Sequence, residues 1–172
     1  MANTFQQIGT TQTVSTAVAS IAFTAIPATY TDLVVYISCR TSDSSYGSAG
    51  LNLLINGVST DRIHYRLYAV GSSPGADTNT GAPILAGTNT DNLTANAFGN
   101  TTMYLQNYAG NQYKSWRTDN ANANNSTSNI ETDYCSGRWA STAAITSLTF
   151  SVSSASNFMT HSTFSLYGIL KY

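Results

Sequence analysis

The 172-residue chain carries charge on only 9% of its residues and has a formal net charge of -1 at pH 7. Typical soluble domains carry about 25% charged residues, so this chain has no basic surface for nucleic acid or for an anionic membrane. Its hydrophobic fraction of 42% does not fit intrinsic disorder and is sufficient for one domain with a substantial core.

The surface of such a chain must be made polar by uncharged side chains. Ser, Thr, Asn and Gln are abundant, and there are 11 tyrosines. These side chains offer contact area and hydrogen bonds with little charge to desolvate. A near-neutral surface also lacks the usual protection against association. We therefore expect the protein to work while docked, as an oligomer or in an assembly; a monomer kept soluble by amides and hydroxyls is the alternative.

The first residues lack the features that are typical of a signal peptide. Residues 1–7 have no positively charged segment, and no long apolar run follows them. No stretch approaches the roughly 20 apolar residues of a membrane-spanning helix. We therefore expect neither a signal peptide nor a membrane partner.

The first third of the chain predicts extended structure. Residues 1–12 lack a clear period, which indicates an extended arm or a loosely held first strand. Residues 13–23 predict a strand with a kink, in which Ile21 and Phe23 point inward. Pro27 ends this strand, because proline cannot donate to a ladder of hydrogen bonds.

The most strongly apolar run, residues 30–40, predicts a central strand. It is rich in β-branched and aromatic residues. Because side chains alternate along a strand, one face would carry Leu33, Val35, Ile37 and Cys39.

The strongest turn signal is the pair Asn56-Gly57, since both central residues of a type I′ turn need positive φ. A short strand at 51–55 precedes it. We expect this strand to pair through the turn with a strand at 62–70, in which Ile63, Tyr65 and Leu67 alternate with polar residues.

The remaining chain alternates between strands and polar loops. Residues 71–92 form the least regular region, and residues 119–129 are almost entirely Asn, Ala, Ser and Thr. We interpret both as long loops, which in compact domains are usually functional or mobile. Strands are predicted at 98–108, 112–117, 130–140, 145–152 and 162–170.

These elements predict a single all-β domain over residues 1–172, with residues 1–12 as a possible N-terminal docking arm. No helical period and no linker interrupt it. The spacing of about eight to ten strands favours an antiparallel two-sheet β-sandwich, most readily a jelly roll.

Two cysteines, Cys39 and Cys135, fall inside predicted strands. Two cysteines are too few for a disulfide scaffold. They could pair if their strands were neighbours, but we expect buried free thiols.

The sequence contains few candidate catalytic residues. His64 and His161 are interpreted as structural or surface residues, and no Gly-x-Ser-x-Gly motif is present. Glu131 and Asp133 have the same-face spacing of paired carboxylates, but such a pair at a strand start is typical of a solvated edge. The cysteines and histidines lack the spacing of metal ligands. We expect no catalytic, cofactor or metal site, and no enzyme.

Sugar binding is the alternative chemistry. Trp116, Trp139 and several tyrosines could stack on a sugar ring, and Trp116 lies beside Lys114 and Arg117 in a plausible exposed contact. Against this, large aromatic residues are more often part of a core or an interface.

Two motifs are familiar from a known group of proteins. One is Phe-Thr-Ala-Ile-Pro-Ala-Thr-Tyr-Thr-Asp-Leu at 23–33, and the other is Thr-Phe-Ser-Leu-Tyr-Gly-Ile at 163–169. Together with a middle hairpin they resemble small β-sandwich structural proteins of tailed bacteriophages, including marine and cyanobacterial phages. That group includes capsid decoration proteins and tail-fibre domains, and its motifs imply no functional residues.

The resemblance implies a virion component. We expect a decoration protein, a homotrimer on the outer surface of the capsid, that binds across subunits of the major capsid protein and cements the shell. The alternative is a tail-fibre domain that recognises a host glycan through the 71–92 and 119–129 loops and Trp116.

Overall fold

The computed structural model describes residues 4–44, 47–80, 84–122 and 124–170. These residues form thirteen strands: β1 (Phe5–Gln7), β2 (Gln12–Thr13), β3 (Ser20–Phe23), β4 (Asp32–Cys39), β5 (Ala49–Ile55), β6 (Arg62–Val70), β7 (Ser73–Asn79), β8 (Ile84–Thr88), β9 (Gly99–Gln106), β10 (Lys114–Asn122), β11 (Glu131–Trp139), β12 (Leu148–Val152) and β13 (Thr163–Ile169).

The strands form two antiparallel sheets, which confirms the predicted all-β, two-sheet sandwich. The larger sheet has nine strands in the order β1-β13-β4-β9-β10-β11-β6-β7, with β2 beside β1 along β13. The smaller sheet has the order β3-β12-β5-β8. The sheets are unequal, and β8 of the smaller sheet packs against β10 and β11 of the larger sheet.

The apolar core lies between the sheets and follows the period of two. The central strand β4 lies between β13 and β9, and the residues predicted to share one of its faces are buried: Leu33, Val35, Ile37 and Cys39. From the smaller sheet, β5 and β12 contribute Leu51, Leu53, Ile55, Leu148, Phe150 and Val152. Full burial of one such side chain stabilises the fold by about 1.5–3 kcal/mol.

The turn at Asn56-Gly57 is confirmed, but the predicted pairing of the flanking strands is wrong. Asn56 and Gly57 have φ values of 50° and 76°. However, β5 pairs with β12 and β8, whereas β6 pairs with β11 and β7 in the other sheet. A turn signal is local: it reverses the chain between Ile55 and Val58, and the next residues then cross to the larger sheet.

Both predicted long loops are shorter than expected. Residues 71–92 contain β7 and β8, and residues 119–122 belong to β10. The sequence of β7 has low strand propensity, but it is an edge strand, where a proline such as Pro74 is tolerated. Pairing with β6 along its whole length outweighs its local preference.

The N-terminal residues lie on the edge of the larger sheet. β1 pairs with Tyr167–Ile169 of β13, and β2 pairs with the start of the same strand. Of the two interpretations of residues 1–12, the structure has a first strand in the part that it describes. Residues 1–3 of the predicted arm lie outside the described residues.

The two motifs of the sequence resemblance meet in space. Leu33 is the register partner of Gly168, and the amide of Thr31 donates to the carbonyl of Ile169 at 2.8 Å. A Cβ atom on Gly168 would lie 2.2 Å from Cγ of Tyr30. The glycine is therefore required by the ring that covers it, and the motifs together close the β13–β4 pair.

We expect Gly168→Ala to lower the free energy of unfolding by about 1–2 kcal/mol, because the methyl group displaces the half-buried Tyr30 ring. Urea unfolding checks this. In the background of Tyr30→Ala the same substitution should cost much less, since the obstructing ring is gone. Equal costs in both backgrounds would contradict the packing explanation.

Candidate functional site

A buried ion cluster joins β6 and β11 on the inner face of the larger sheet. Nε of Arg66 donates to the carboxylate of Asp133 at 2.5 Å, and Nη2 of Arg66 bonds Glu131. Asp77 of β7 lies 3.7 Å from Arg66. Asp133 has no solvent exposure and Glu131 only 4%. The prediction that Glu131 and Asp133 form a solvated edge is therefore wrong.

One of these carboxylates, Asp133, also helps to fasten β8 to the larger sheet. The amide of Gly87 donates to Asp133 at 2.8 Å, and Asn120 donates both to the Gly87 carbonyl at 2.8 Å and to Asp133 at 3.0 Å. Thr118 donates to the Leu85 carbonyl at 2.5 Å. Polar side chains thus satisfy the backbone of β8 where the apolar core ends.

The electrostatics of the cluster fit this fastening role. Burial raises the pKa of Glu131, with a further contribution from the Asp133 charge. Burial works against the charge of Arg66, but Asp133 and Glu131 outweigh it and raise its pKa. Because the Arg66 guanidinium occupies the space between the two carboxylates, the pair does not have the open arrangement that a glycosidase substrate needs.

The two histidines lie in different surroundings. His64 is buried, with Nε2 3.7 Å from Asp77, and burial lowers its pKa. His161 is exposed in a turn with φ 72°, and its amide donates to the Val14 carbonyl at 2.8 Å. Neither lies in a nucleophile–base arrangement among the described residues.

The predicted sugar-stacking residue is not available at the surface. Trp116 and Trp139 are only 3% and 4% exposed and belong to the apolar core. Lys114 is also buried, with Nζ donating to the Gln112 carbonyl at 2.6 Å. The interpretation of Trp116 and Lys114 as an exposed contact is therefore wrong, and of that trio only Arg117 is exposed.

The cysteines are buried and free, in strands that are not neighbours. Burial raises the pKa of both Cys39 and Cys135 to about 12. In the described part of the chain, no cluster of three or more His, Cys, Asp or Glu could hold a metal ion. The described residues also contain no helix long and apolar enough to cross a membrane.

The outer face of the larger sheet carries an exposed apolar patch at β6 and β11. It consists of Tyr65, Leu67 and Tyr134, which are 58%, 63% and 64% exposed. Leu67 and Tyr134 are direct register partners. The patch borders a groove of about 640 Å³ that also includes Arg117 and Asp119. We call these three residues the apolar patch.

A second groove of about 360 Å³ adjoins the apolar patch. Tyr65 and Arg117 line both grooves, and Tyr104, Ser115 and Arg138 are among the other residues that line the second. The Arg117 guanidinium lies 5.2 Å from the Tyr104 ring centroid. We call this feature the arginine groove.

Aromatic residues also cover the opposite end of the outer face. The rings of Phe5 and Tyr167 stack at 4.8 Å, and Tyr36 meets Tyr167 edge-on at 5.7 Å. The outer face is therefore aromatic along the β1, β13 and β4 end as well as at the apolar patch.

The apolar patch was missed at the sequence level because apolar residues normally point inward. In β6 the reverse holds: Arg62, His64 and Arg66 face the interior, and Tyr65 and Leu67 face solvent. The sequence of β6 does show charged residues alternating with apolar ones. However, alternation alone does not say which of the two faces is buried.

Models of known protein families give no match to this sequence. A comparison with curated proteins likewise gives no match.

Proposed function

We propose that this chain is a structural protein of a tailed-bacteriophage virion that decorates the capsid and docks through the outer face of its larger sheet. The observation that carries the proposal is the apolar patch: three large side chains, each more than half exposed, lie together on the outer face of the larger sheet. Contiguous exposed apolar residues mark interaction sites in soluble proteins. The sequence resemblance supports the virion assignment.

The mechanism follows from the chemistry of this face. Tyrosine and leucine bury apolar area on docking, and the hydroxyl and amide groups around them keep hydrogen bonds without desolvating many charges. A trimer that spans neighbouring subunits of the major capsid protein would add such contacts at several sites. Several weak contacts made at once hold much more tightly than any one alone, which is what cementing a shell requires.

The tail-fibre alternative now depends on different residues. Trp116 cannot stack on a sugar while it is buried, but Tyr65 and Tyr104 line the arginine groove, which is large enough for a sugar ring. Selective binding on a glycan array that is lost in Tyr104→Ala would favour this alternative.

The copy number in purified virions tests the virion assignment. Quantitative mass spectrometry against the major capsid protein should give hundreds of copies in a fixed ratio to the shell. A few to a few dozen copies would move the protein to the tail, and its absence would overturn the virion assignment.

A docking assay tests the face itself. Leu67→Glu should weaken binding to capsid shells that lack the protein by about tenfold or more, because the new carboxylate must be buried without a partner. The matched control is Val58→Glu, which adds the same charge at an exposed apolar residue in the Asn56-Gly57 turn. Equal binding by the two variants would exclude the apolar patch as the docking surface.

A further inference from the structure

The chain has only seven Lys and Arg residues, and most of those that the structure describes are buried. Four of them are buried and bonded within the chain: Arg40, Arg62, Arg66 and Lys114. Lys171 lies outside the described residues. The two that remain, Arg117 and Arg138, are exposed on the outer face of the larger sheet.

These two arginines lie side by side. Arg117 pairs in register with Ser136, and Arg138 with Ser115, which makes the arginines diagonal neighbours on adjacent strands. Diagonal neighbours on one face are about 7–8 Å apart. Like charges at this separation repel each other. Asp119 lies two residues beyond Arg117 on the same face, yet no ion pair joins it to either arginine among the described residues.

Both guanidinium groups are held by aromatic rings. Arg117 lies 5.2 Å from the centroid of Tyr104, and Arg138 lies 5.6 Å from that of Tyr113. Stacking of this kind restricts a guanidinium and leaves its N–H groups free to point outward. Tyr104 is itself fixed, since its hydroxyl donates to Asp32 at 2.5 Å. The arginine groove thus presents two preoriented guanidinium groups that have no ion-pair partner among the described residues.

We propose that the arginine groove receives carboxylates from the surface of a protein partner, so that the surface docked here is locally acidic. This inference rests on the proposed function for its partner and adds the chemistry of the contact. Guanidinium groups bind carboxylates with two parallel hydrogen bonds, and such charge-assisted pairs are among the stronger hydrogen bonds.

A protein partner fits this face better than an acidic sugar does. The arginine groove is continuous with the groove that the apolar patch borders, because Tyr65 and Arg117 line both grooves. A saccharide bound to the arginines would leave Leu67 and Tyr134 uncovered. A protein surface can place carboxylates in the groove and apolar side chains on the patch, with charges at the rim that steer the encounter.

The test compares the wild-type chain with the double variant Arg117→Gln/Arg138→Gln. The probe is fluorescently labelled poly-L-glutamate, with binding followed by anisotropy at low ionic strength. We expect the double variant to bind about tenfold more weakly. We also expect added salt to weaken wild-type binding.

The control must match the change in net charge. Ser20→Glu/Ser153→Glu makes the chain more negative by the same two charges at exposed residues of the smaller sheet and its adjoining turn. It should bind poly-L-glutamate nearly as the wild type does. Thermal unfolding of both double variants confirms that each is folded.

Three results would overturn the proposal: no binding of poly-L-glutamate by the wild type, equal loss in both double variants, or clear preference for polygalacturonate. The last would assign the groove to an acidic glycan. Docking onto capsid shells, measured with the same variants, separates the proposed capsid function from the proposed carboxylate site. Arginine-dependent binding of poly-L-glutamate without docking would overturn the capsid function and leave the carboxylate site standing.

Discussion

Replacing Arg66 with methionine should lower the free energy of unfolding by about 3–5 kcal/mol, because removal of one partner of a buried ion pair leaves uncompensated charge. Here two carboxylates would be left: Asp133 has no solvent exposure, and Glu131 has 4%. The pKa of Glu131 is already raised by burial and by Asp133, so loss of the guanidinium would raise it further. Urea unfolding at neutral pH measures the effect.

The triple variant Arg66→Met/Glu131→Gln/Asp133→Asn is the matched control. It removes all three charges while nearly preserving shape, and it should recover much of the lost stability, since the cost lies in unpaired charge rather than in lost packing. The single variant should also gain stability relative to wild type as the pH falls and its carboxylates become protonated. A loss below about 1 kcal/mol in Arg66→Met would contradict the inferred role of the cluster.

Gly137→Ala should destabilise the fold by about 3 kcal/mol, at the upper end of what one excess methyl group costs in a packed core. Gly137 is the register partner of Trp116, and a Cβ atom there would lie 2.1 Å from Cζ2 of the indole. The indole belongs to the apolar core and has 3% exposure, so it has little room to move. Thermal or urea unfolding gives the measurement.

Two comparisons make this prediction specific. Ser136→Ala, at the exposed neighbouring position, should change the unfolding free energy by less than about 0.5 kcal/mol. In the background of Trp116→Leu, Gly137→Ala should be far less costly, because the smaller side chain no longer covers the glycine. If the loss of stability is the same in both backgrounds, strand propensity rather than contact with the indole explains the effect of Gly137→Ala.

Most strands could be predicted from local pattern. In β12 and β13 apolar residues alternate with polar ones, and in β4 the predicted face of Leu33, Val35, Ile37 and Cys39 is buried. The turn at Asn56-Gly57 was also predictable, because positive φ at both residues is a local property of these residue types. Each of these predictions depends on interactions within a few residues of sequence.

The exposed apolar face could not be predicted in the same way. Period two assigns residues to two faces, but tertiary packing decides which face is covered. In β6 the charged face is buried because Glu131 and Asp133, far away in sequence, neutralise Arg66 there, and β8 covers them. Tyr65 and Leu67 are left outside for that reason. The strand β7 could not be predicted either, because its sequence has low strand propensity. It forms by pairing with the edge of β6.

The amino-acid sequence by itself determined an all-β chain, the positions of most strands, its sharpest turn and a surface poor in charge, because these follow from composition and from local alternation. Only the tertiary structure decided which strands pair, which carboxylates are buried, and that Arg117, Arg138 and the apolar patch share one open face. The physical reason is that pairing and burial depend on contacts between residues distant in sequence, and the free energy of those contacts outweighs local preference.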